Sequence, residues 1–284
     1  MGSLKTFAVA GLLTALSVPA LAADLMPAPV LAPVPVDVGG GWYLRGDVGV
    51  GALDLRRTEA IDVSSPPAPY AYNRLEDRVE NQVFVGGGVG YQFNGWLRAD
   101  FTAEYRFPTH WHLNAEDTTP GYATGGYNLT SGKFSSVVGL ANAYLDLGTW
   151  GGVTPFIGAG IGFAHHMFGA VSDHGFGAYA GGYGYGGEYD KTSLAYAAHA
   201  GIAYSLSPNA KIEIAYRYLN MGDAQSGTVA CVPGCSPDLR TVYRLKELES
   251  HDIKVALRWA LGGPVAAPVF AEAPVMQAPI VRKY

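Results

Sequence analysis

Charged side chains recur at every second position in several segments of this 284-residue chain. In residues 96–107, Arg98, Asp100, Glu104 and Arg106 share one parity, and the other parity carries only apolar or aromatic residues. Because alternate side chains of a β-strand point to opposite faces, such a segment presents charges of both signs on one face. The predicted chemistry is ion pairing in an enclosed space, where every ion needs a partner. Four such segments supply the predicted network: Arg45, Asp47, Arg98, Asp100, Glu104, Arg106, Lys211, Glu213, Arg217, Asp252, Lys254 and Arg258.

Other patterns that could carry chemistry favour simpler interpretations. The glycine-rich stretches "VGGGVG" at 85–90 and "GAGIGF" at 158–163 do not open a helix, so they are not expected to bind nucleotides. No ordered Ser/His/Asp set and no pair of catalytic carboxylates stands out. The sequence therefore predicts neither an enzyme nor a cofactor.

The N-terminal residues predict export. Lys5 precedes an apolar run over 7–18, and Ala20-Leu21-Ala22 matches a small-x-small cleavage site. The run is too short to span a bilayer as a helix, so residues 1–22 are interpreted as a secretory signal peptide. Elsewhere no apolar run reaches 18 residues, and a formal net charge of -5 argues against nucleic acid as a partner.

Eight segments with period-two alternation follow, and each is predicted to be a strand. A Pro-rich linker at 23–39 precedes them, and a similar tail at 262–284 follows, so the barrel domain is expected over 40–261. The predicted strands cover 42–55, 82–93, 96–107, 133–147, 154–168, 192–206, 211–219 and 250–261.

The connections alternate between short and long. Asn94-Gly95 is typical of a tight hairpin turn, and 148–153 and 207–210 are also short. The long connections, rich in Gly, Pro and polar residues, cover 56–81, 108–132, 169–191 and 220–249. Short turns at one end and long loops at the other are expected of an eight-stranded antiparallel, up-and-down transmembrane β-barrel.

Alternation alone does not say which face is outside, because a soluble barrel would place its apolar row inward. Three features favour an apolar row that meets lipid. The less apolar rows of the fifth and sixth segments are mostly small residues, which suit a crowded lumen better than a solvated wall. Aromatic residues lie at both ends of the apolar rows, and the cores of these rows carry no charge. Leu97, Phe101 and Tyr105 are therefore predicted to face lipid, and the charges are predicted to plug the lumen.

The chain resembles the small Gram-negative outer-membrane barrels related to the OmpA transmembrane domain and the opacity proteins. The resemblance rests on "AADLMPAPVLAPVPV", "GGWYLRGDVGVG", "TPFIGAGIGFA", "IEIAYRYLNMGD" and "SHDIKVALRWAL", and covers roughly 40–261. Porin-like surface antigens of this group are the most similar. The resemblance implies an integral protein of the bacterial outer membrane whose last strand is read by the barrel-assembly machinery through Lys254, Trp259 and Leu261.

Two further sites are expected in the loops. In an oxidising compartment Cys231 and Cys235 are predicted to form a disulfide across "CVPGC". The resemblance also raises haem contact by histidines, with the candidates His110, His112, His165 and His166, whose alternative is that they are polar loop residues without a ligand.

The predicted function is structural: envelope integrity and surface interaction, with limited passage of small solutes left open. The expected partners are outer-membrane lipid, lipopolysaccharide and, during biogenesis, the assembly machinery. A surface receptor for a ligand such as haem, and a narrow porin, are the alternatives.

Overall fold

The computed structural model describes residues 40–64, 71–121, 124–232 and 239–262; the predicted signal peptide, linker and most of the tail lie outside them. No helix in the described part of the chain is long and apolar enough to cross a membrane. The strands are β1 (Gly41–Asp62), β2 (Tyr72–Val79), β3 (Gln82–Gln92), β4 (Leu97–Asp117), β5 (Gly126–Asp146), β6 (Val153–Gly177), β7 (Tyr183–Gly186), β8 (Tyr189–Ser205), β9 (Ala210–Asn220), β10 (Ala224–Gln225), β11 (Val229–Val232) and β12 (Arg240–Ala260).

Eight of these strands form a closed antiparallel ring. Its order is β1, β3, β4, β5, β6, β8, β9 and β12, and β12 pairs back onto β1 from Tyr43↔Ala260 upward. Each strand of the ring hydrogen-bonds to its neighbours, so the membrane part has no open edge. The predicted fold class, an eight-stranded up-and-down barrel, is confirmed.

The two faces of the ring differ as the alternation predicts. Trp42 is 58% exposed and the next residue, Tyr43, is 2% exposed; along β4, Phe101 is 52% exposed and Tyr105 is 37% exposed. The exposed row is apolar through the middle of every ring strand. Aromatic residues lie at its two ends: Trp42, Phe93, Tyr204 and Trp259 near the short turns, and Tyr105, Phe107, Tyr216 and Tyr189 near the long connections. These two girdles mark the boundaries of the lipid-facing band.

In barrels of this kind the short turns face the periplasm, and the two ends of this barrel are named by that rule. In the turn from β3 to β4, the side chain of Asn94 accepts hydrogen bonds from the backbone N–H groups of Trp96 and Leu97 at 3.0 and 2.8 Å. The turn from β5 to β6 places Gly151 and Gly152 at φ of 58° and 81°, a region that favours glycine. Both features explain why these turns can be so short.

The structure differs from the expectation of long irregular loops at the other end. Several ring strands continue well past the upper aromatic girdle, to Asp62 in β1, Asp117 in β4 and Gly177 in β6. In β12 the ten residues 240–249 precede the lipid-facing part. At about 3.3 Å per residue and a tilt of about 40°, they span roughly 25 Å along the barrel axis. We call this part of the barrel the extracellular tier.

The four short strands complete the tier. Its ring runs β1, β12, β11, β7, β6, β5, β4 and β2, with β10 paired to β12. Seven of the eight neighbouring pairs are hydrogen-bonded as sheet; in the described residues β1 and β2 are not. Two bulges, between Arg106 and Thr109 in β4 and between Phe168 and Val171 in β6, lie where the tier begins. A bulge shifts the parity of a strand, so the tier has its own inward row.

Candidate functional site

The membrane part of the lumen holds most of the predicted ion-pair network. Eleven of the twelve predicted residues are buried, whereas Lys211, at the periplasmic start of β9, is half-buried. The inward rows of β1, β4, β9 and β12 supply all of them. The inward rows of β6 and β8 are mainly glycine and alanine, which leaves room for the long cationic side chains.

A lower cluster surrounds Glu213, near the periplasmic end. Arg45, Arg98 and Arg258 place nitrogen atoms 3.5, 3.3 and 3.3 Å from its carboxylate oxygens. The ion pair between Arg98 and Glu213 lacks hydrogen-bond geometry. Neither the Nη atoms of Arg98 nor Glu213 Oε1 forms a hydrogen bond. Arg98 instead bonds Asp146 through Nε at 3.1 Å, and its guanidinium carbon lies 4.1 Å from the centre of an aromatic ring of β5.

Arg45 connects this cluster to two further carboxylates, those of Asp47 and Asp100. Its guanidinium donates to Asp47 at 2.6 Å and to Asp100 at 2.7 Å. Lys254 Nζ lies 3.4 Å from Asp47 Oδ1, the same oxygen that Arg45 Nη2 contacts, and Asn142 donates to Asp100 at 2.8 Å. The lower cluster is therefore one connected group: Arg45, Asp47, Arg98, Asp100, Asp146, Glu213, Lys254 and Arg258.

An upper cluster lies closer to the extracellular tier. Arg217 donates from Nη1 and Nη2 to the two oxygens of Glu104, each at 2.8 Å, and from Nε to Asp252 at 2.8 Å. Arg106 donates to the same two carboxylates, at 3.3 Å to Glu104 and 2.8 Å to Asp252. Both guanidinium groups lie over Phe84, with carbon-to-centroid distances of 4.8 and 4.9 Å. This fork-to-carboxylate geometry is the strongest form of ion pair in proteins.

The two clusters are each electrically neutral. The lower one contains four cations and four anions, and the upper one contains two of each. A closed, buried lumen requires this balance, because an uncompensated buried ion costs several kcal/mol. The arrangement can hold the strands in register and fill the lumen.

Sequence reasoning missed several members of this interior. Asp146 pairs with Arg98, and the hydroxyl of Tyr43 donates to Asp100 at 3.0 Å. His199 is buried, with Nε2 3.2 Å from the side-chain oxygen of Asn142. Alternation in the sequence could have indicated these residues, since Asp146 and Asn142 both fall on the inward-facing row of β5.

The interior of the extracellular tier is mainly apolar. Trp111, Phe134 and Phe168 are fully buried there, and Phe134 stacks on Phe168 with ring centres 5.4 Å apart. The larger cluster also takes residues from β2, β8, β9 and β10 to β12. The one indole N–H of Trp111 donates to Thr58 Oγ1 at 3.2 Å, so this polar group is satisfied. The lumen is thus filled by ions in the membrane and by a hydrophobic core above it.

The four histidines proposed for haem do not converge on one site. His166 points into the barrel, where its ring nitrogens contact Ser136 Oγ at 2.8 Å and the Met221 carbonyl at 3.0 Å. His110, His112 and His165 lie on the outer face instead. The expectation of a shared ligand site is therefore not met, because adjacent positions on one strand face opposite sides. Among the described residues no group of three His, Cys, Asp or Glu side chains is placed to hold a metal ion.

His110 and His112 form a small surface feature of their own. Their rings stack with centres 6.0 Å apart, and His110 Nδ1 lies 3.1 Å from Glu80. His165 instead lies 2.8 Å from the hydroxyl of Thr192, on β8. Each of the three outer histidines therefore has a polar or aromatic side chain beside it.

The remaining predicted residues are the two cysteines and the three residues of the predicted assembly signal. Cys231, in β11, is not a free thiol, but Cys235 lies outside the described residues, so the disulfide stays a prediction. At the periplasmic end Trp259 and Leu261 are on the lipid-facing side, and further along β12 Lys254 faces the lumen. The role of these three residues as an assembly signal also stays a prediction.

Comparisons with known proteins agree with this architecture. Residues 8–232 match the family described as outer membrane protein beta-barrel domain. An uncharacterized protein of Brucella suis biovar 1 is 28% identical over 240 residues, which cover 75% of this chain and 79% of that protein. A putative adhesin of Rickettsia typhi is 26% identical over 220 residues, which cover 78% of this chain and 88% of the adhesin.

Solved structures with similar folds are also outer membrane proteins. OprG from Pseudomonas aeruginosa has a TM-score of 0.48 and 12% identity, covering 80% of this chain and 99% of OprG. Neisserial surface protein A has a TM-score of 0.36 and 20% identity, covering 77% of this chain and 96% of that structure.

Proposed function

Because the chain belongs to the outer membrane protein beta-barrel family, we propose that it is a closed, non-conducting barrel that anchors a folded surface tier. The protein is located in the bacterial outer membrane. In this proposal the barrel supports envelope integrity, and the extracellular tier takes part in surface interaction. No enzymatic step is proposed.

The filled lumen is the observation that carries the proposal. Eight strands leave an interior just wide enough for side chains. Here the lower and upper ion clusters fill the membrane part, and Trp111, Phe134 and Phe168 fill the tier above them. A conducting path would have to separate buried ion pairs and also open a hydrophobic core. Both changes oppose a spontaneous pore, so limited solute passage is not part of the proposal.

Conductance in planar bilayers tests the closed lumen. The refolded protein should insert without giving a stable open level. Insertion itself needs a control, so the same preparation is checked for heat-modifiability on a gel, in which a folded barrel migrates differently before and after boiling. A stable sub-nanosiemens level from such a preparation would show that the protein is a narrow porin instead.

The surface role is supported by exposed aromatic residues on the outer face of the tier. Phe176 is 51% exposed and Tyr185 is 49% exposed, and Tyr183 lies beside them on β7. Exposed apolar patches of this kind mark interaction sites. The likeness to a putative adhesin favours the same role. Cells that display a variant with serine at these three positions should adhere to host surfaces less than cells with the unchanged protein. Equal adherence, at equal display of heat-modifiable protein, contradicts this role.

Lipid contact and assembly complete the proposal. The lipid-facing row and its two girdles fit outer-membrane lipid, and the outer-leaflet end fits lipopolysaccharide as the neighbouring lipid. The last strand, with Trp259 at its periplasmic end, fits recognition by the barrel-assembly machinery.

A further inference from the structure

The extracellular tier contains one seam. Strands β1 and β2 are neighbours in its ring, and in the described residues they share no backbone hydrogen bond. Here β1 pairs only with β12, up to Asp62↔Thr241, and β2 pairs only with β4. Each strand therefore has one edge turned toward the seam. Open strand edges are templates for pairing with another chain.

Side chains, not a sheet ladder, cover the β1 edge. The backbone N–H of Thr58 donates to Asp77 Oδ2 at 2.8 Å, and the hydroxyl of Tyr72 donates to the Thr58 carbonyl at 2.5 Å. The backbone N–H of Ala60 donates to the same hydroxyl at 3.1 Å. These backbone groups of Thr58 and Ala60 therefore point into the seam, away from β12. A side chain can rotate away from such a group, whereas a paired strand cannot.

A cavity of about 540 Å³ lies along this seam, lined by 57–59 from β1 and 72–77 from β2. Its rims alternate in charge, with Arg57 beside Glu59 on one strand and Arg74 near Glu76 on the other. The lining of the cavity itself is mostly polar or charged. Toward the barrel axis, Ala60 and Tyr72 at the seam pack against the apolar core of the tier, so a strand added to the seam would have that core on its inner side.

We propose that the seam binds an extended polypeptide segment of a partner by strand addition. Six residues of β1, 57–62, line the seam, so the segment has about six residues. Its backbone replaces the bonds that Tyr72 and Asp77 make to the β1 edge. Alternate side chains are apolar and face the core, and the others are charged and face the rims. This proposal goes beyond the closed barrel, because a peptide can dock at the seam whether or not the lumen conducts.

The two open edges favour a polypeptide over other occupants. Strand addition uses main-chain hydrogen bonds for affinity and alternate side chains for specificity. A small apolar molecule would satisfy neither the N–H of Thr58 nor that of Ala60. A glycan would leave the apolar core beside Ala60 and Tyr72 without a complementary surface.

Fluorescence anisotropy with labelled hexapeptides tests the proposal. The probe alternates valine with lysine and glutamate, and its control has the same sequence with N-methyl groups on alternate amides. The full-length protein is used in detergent micelles, and empty micelles report partitioning of the peptide. The unmodified peptide should bind saturably, and the N-methylated peptide should not. Equal binding of both would show that the seam is only an apolar cleft and would overturn the proposal.

Two substitutions are expected to change peptide binding in opposite directions. Ala60→Pro removes a donor that faces the seam but leaves the β1–β12 ladder intact, so it should weaken binding by roughly threefold to tenfold, the effect of one hydrogen bond. Tyr72→Phe removes the hydroxyl that competes for the β1 edge and should strengthen binding. Leu75→Ala, in the cavity lining but away from the β1 edge, is the matched control and should change binding little. The same shift for Ala60→Pro and Tyr72→Phe would refute strand addition.

Discussion

Replacing Arg217 by methionine isolates the electrostatic role of the upper cluster. Arg217 donates two hydrogen bonds to Glu104 and one to Asp252, and its side chain is 2% exposed. Methionine keeps much of the length of the side chain and removes its charge. Arg106 is then the one cation beside two carboxylates, so the upper cluster changes from neutral to a net charge of -1.

The expected loss of stability is large. Removing one partner of a buried ion pair destabilises a protein by about 3–5 kcal/mol, mostly because a charge is left without compensation. Adding Glu104→Gln to Arg217→Met restores neutrality, with Arg106 paired to Asp252 at 2.8 Å. Replacement of a whole buried pair is often close to neutral. The double variant should therefore lie within about 2 kcal/mol of the parent, a coupling far outside the usual range for independent sites.

Denaturant unfolding in lipid vesicles, followed by tryptophan fluorescence, measures these differences. Heat-modifiability on a gel shows that each variant forms the barrel before it is unfolded. Arg56→Met is the matched control, because its ion pair with Glu247 is on the exposed outer face and should contribute nothing measurable. If the double variant is as unstable as Arg217→Met, or less stable, the compensation argument is wrong and the loss comes from packing alone.

Three further outcomes are expected. A methyl group at Gly51 would collide with head groups of the upper cluster, so Gly51→Ala should lower the gel-shift melting temperature, whereas Gly46→Ala, where nothing lies within 4 Å, should leave it unchanged. Burial raises the pKa of Asp173 in the extracellular tier, so the folded state holds its proton more tightly than the unfolded state and its ionisation destabilises the fold as pH rises. Asp173→Asn should therefore raise the melting temperature at pH 7.5, and the gain should shrink as the pH falls toward about 3.9, the ordinary aspartate value; a constant gain would contradict the linkage. Spin labels at Phe101 and Val255 should respond to dissolved oxygen and not to aqueous nickel chelates, and the reverse response would mean that water wets this face.

The membrane part of the fold could be predicted from the sequence because lipid imposes one requirement along every strand. Each residue that faces hydrocarbon must be apolar, so the contrast with the inward row persists over about ten residues. From that contrast one could predict the eight strands, the outward position of Phe101 and the inward position of most of the charged residues. Asp146 escaped notice because β5 places Val138 and Leu140 on its inward row, where they pack against the hydrophobic core and blur the alternation.

The extracellular tier could not be predicted from parity. Trp111 has the same odd number parity as lipid-facing Phe101, yet it is fully buried. The bulge between Arg106 and Thr109 shifts the strand by one position and turns Trp111 inward. Pro108, inside this bulge, is the one local signal, because a proline within a strand marks an edge or a bulge. The glycine-rich, tyrosine-rich composition beyond it resembles loop sequence.

The bulges lie where the barrel exchanges its two faces, and solvent explains why. Below the upper girdle the outside is hydrocarbon, so the outward row is apolar and the inward row holds neutral ion clusters. Above it the outside is water, so the outward row is polar in most places and the inward row becomes a hydrophobic core. If both rows were apolar, a strand such as β6, with 25 residues, would be an apolar run long enough to cross a bilayer as a helix. Alternation throughout the strand avoids such a run, and the bulge lets one strand satisfy both solvents by changing which face is apolar.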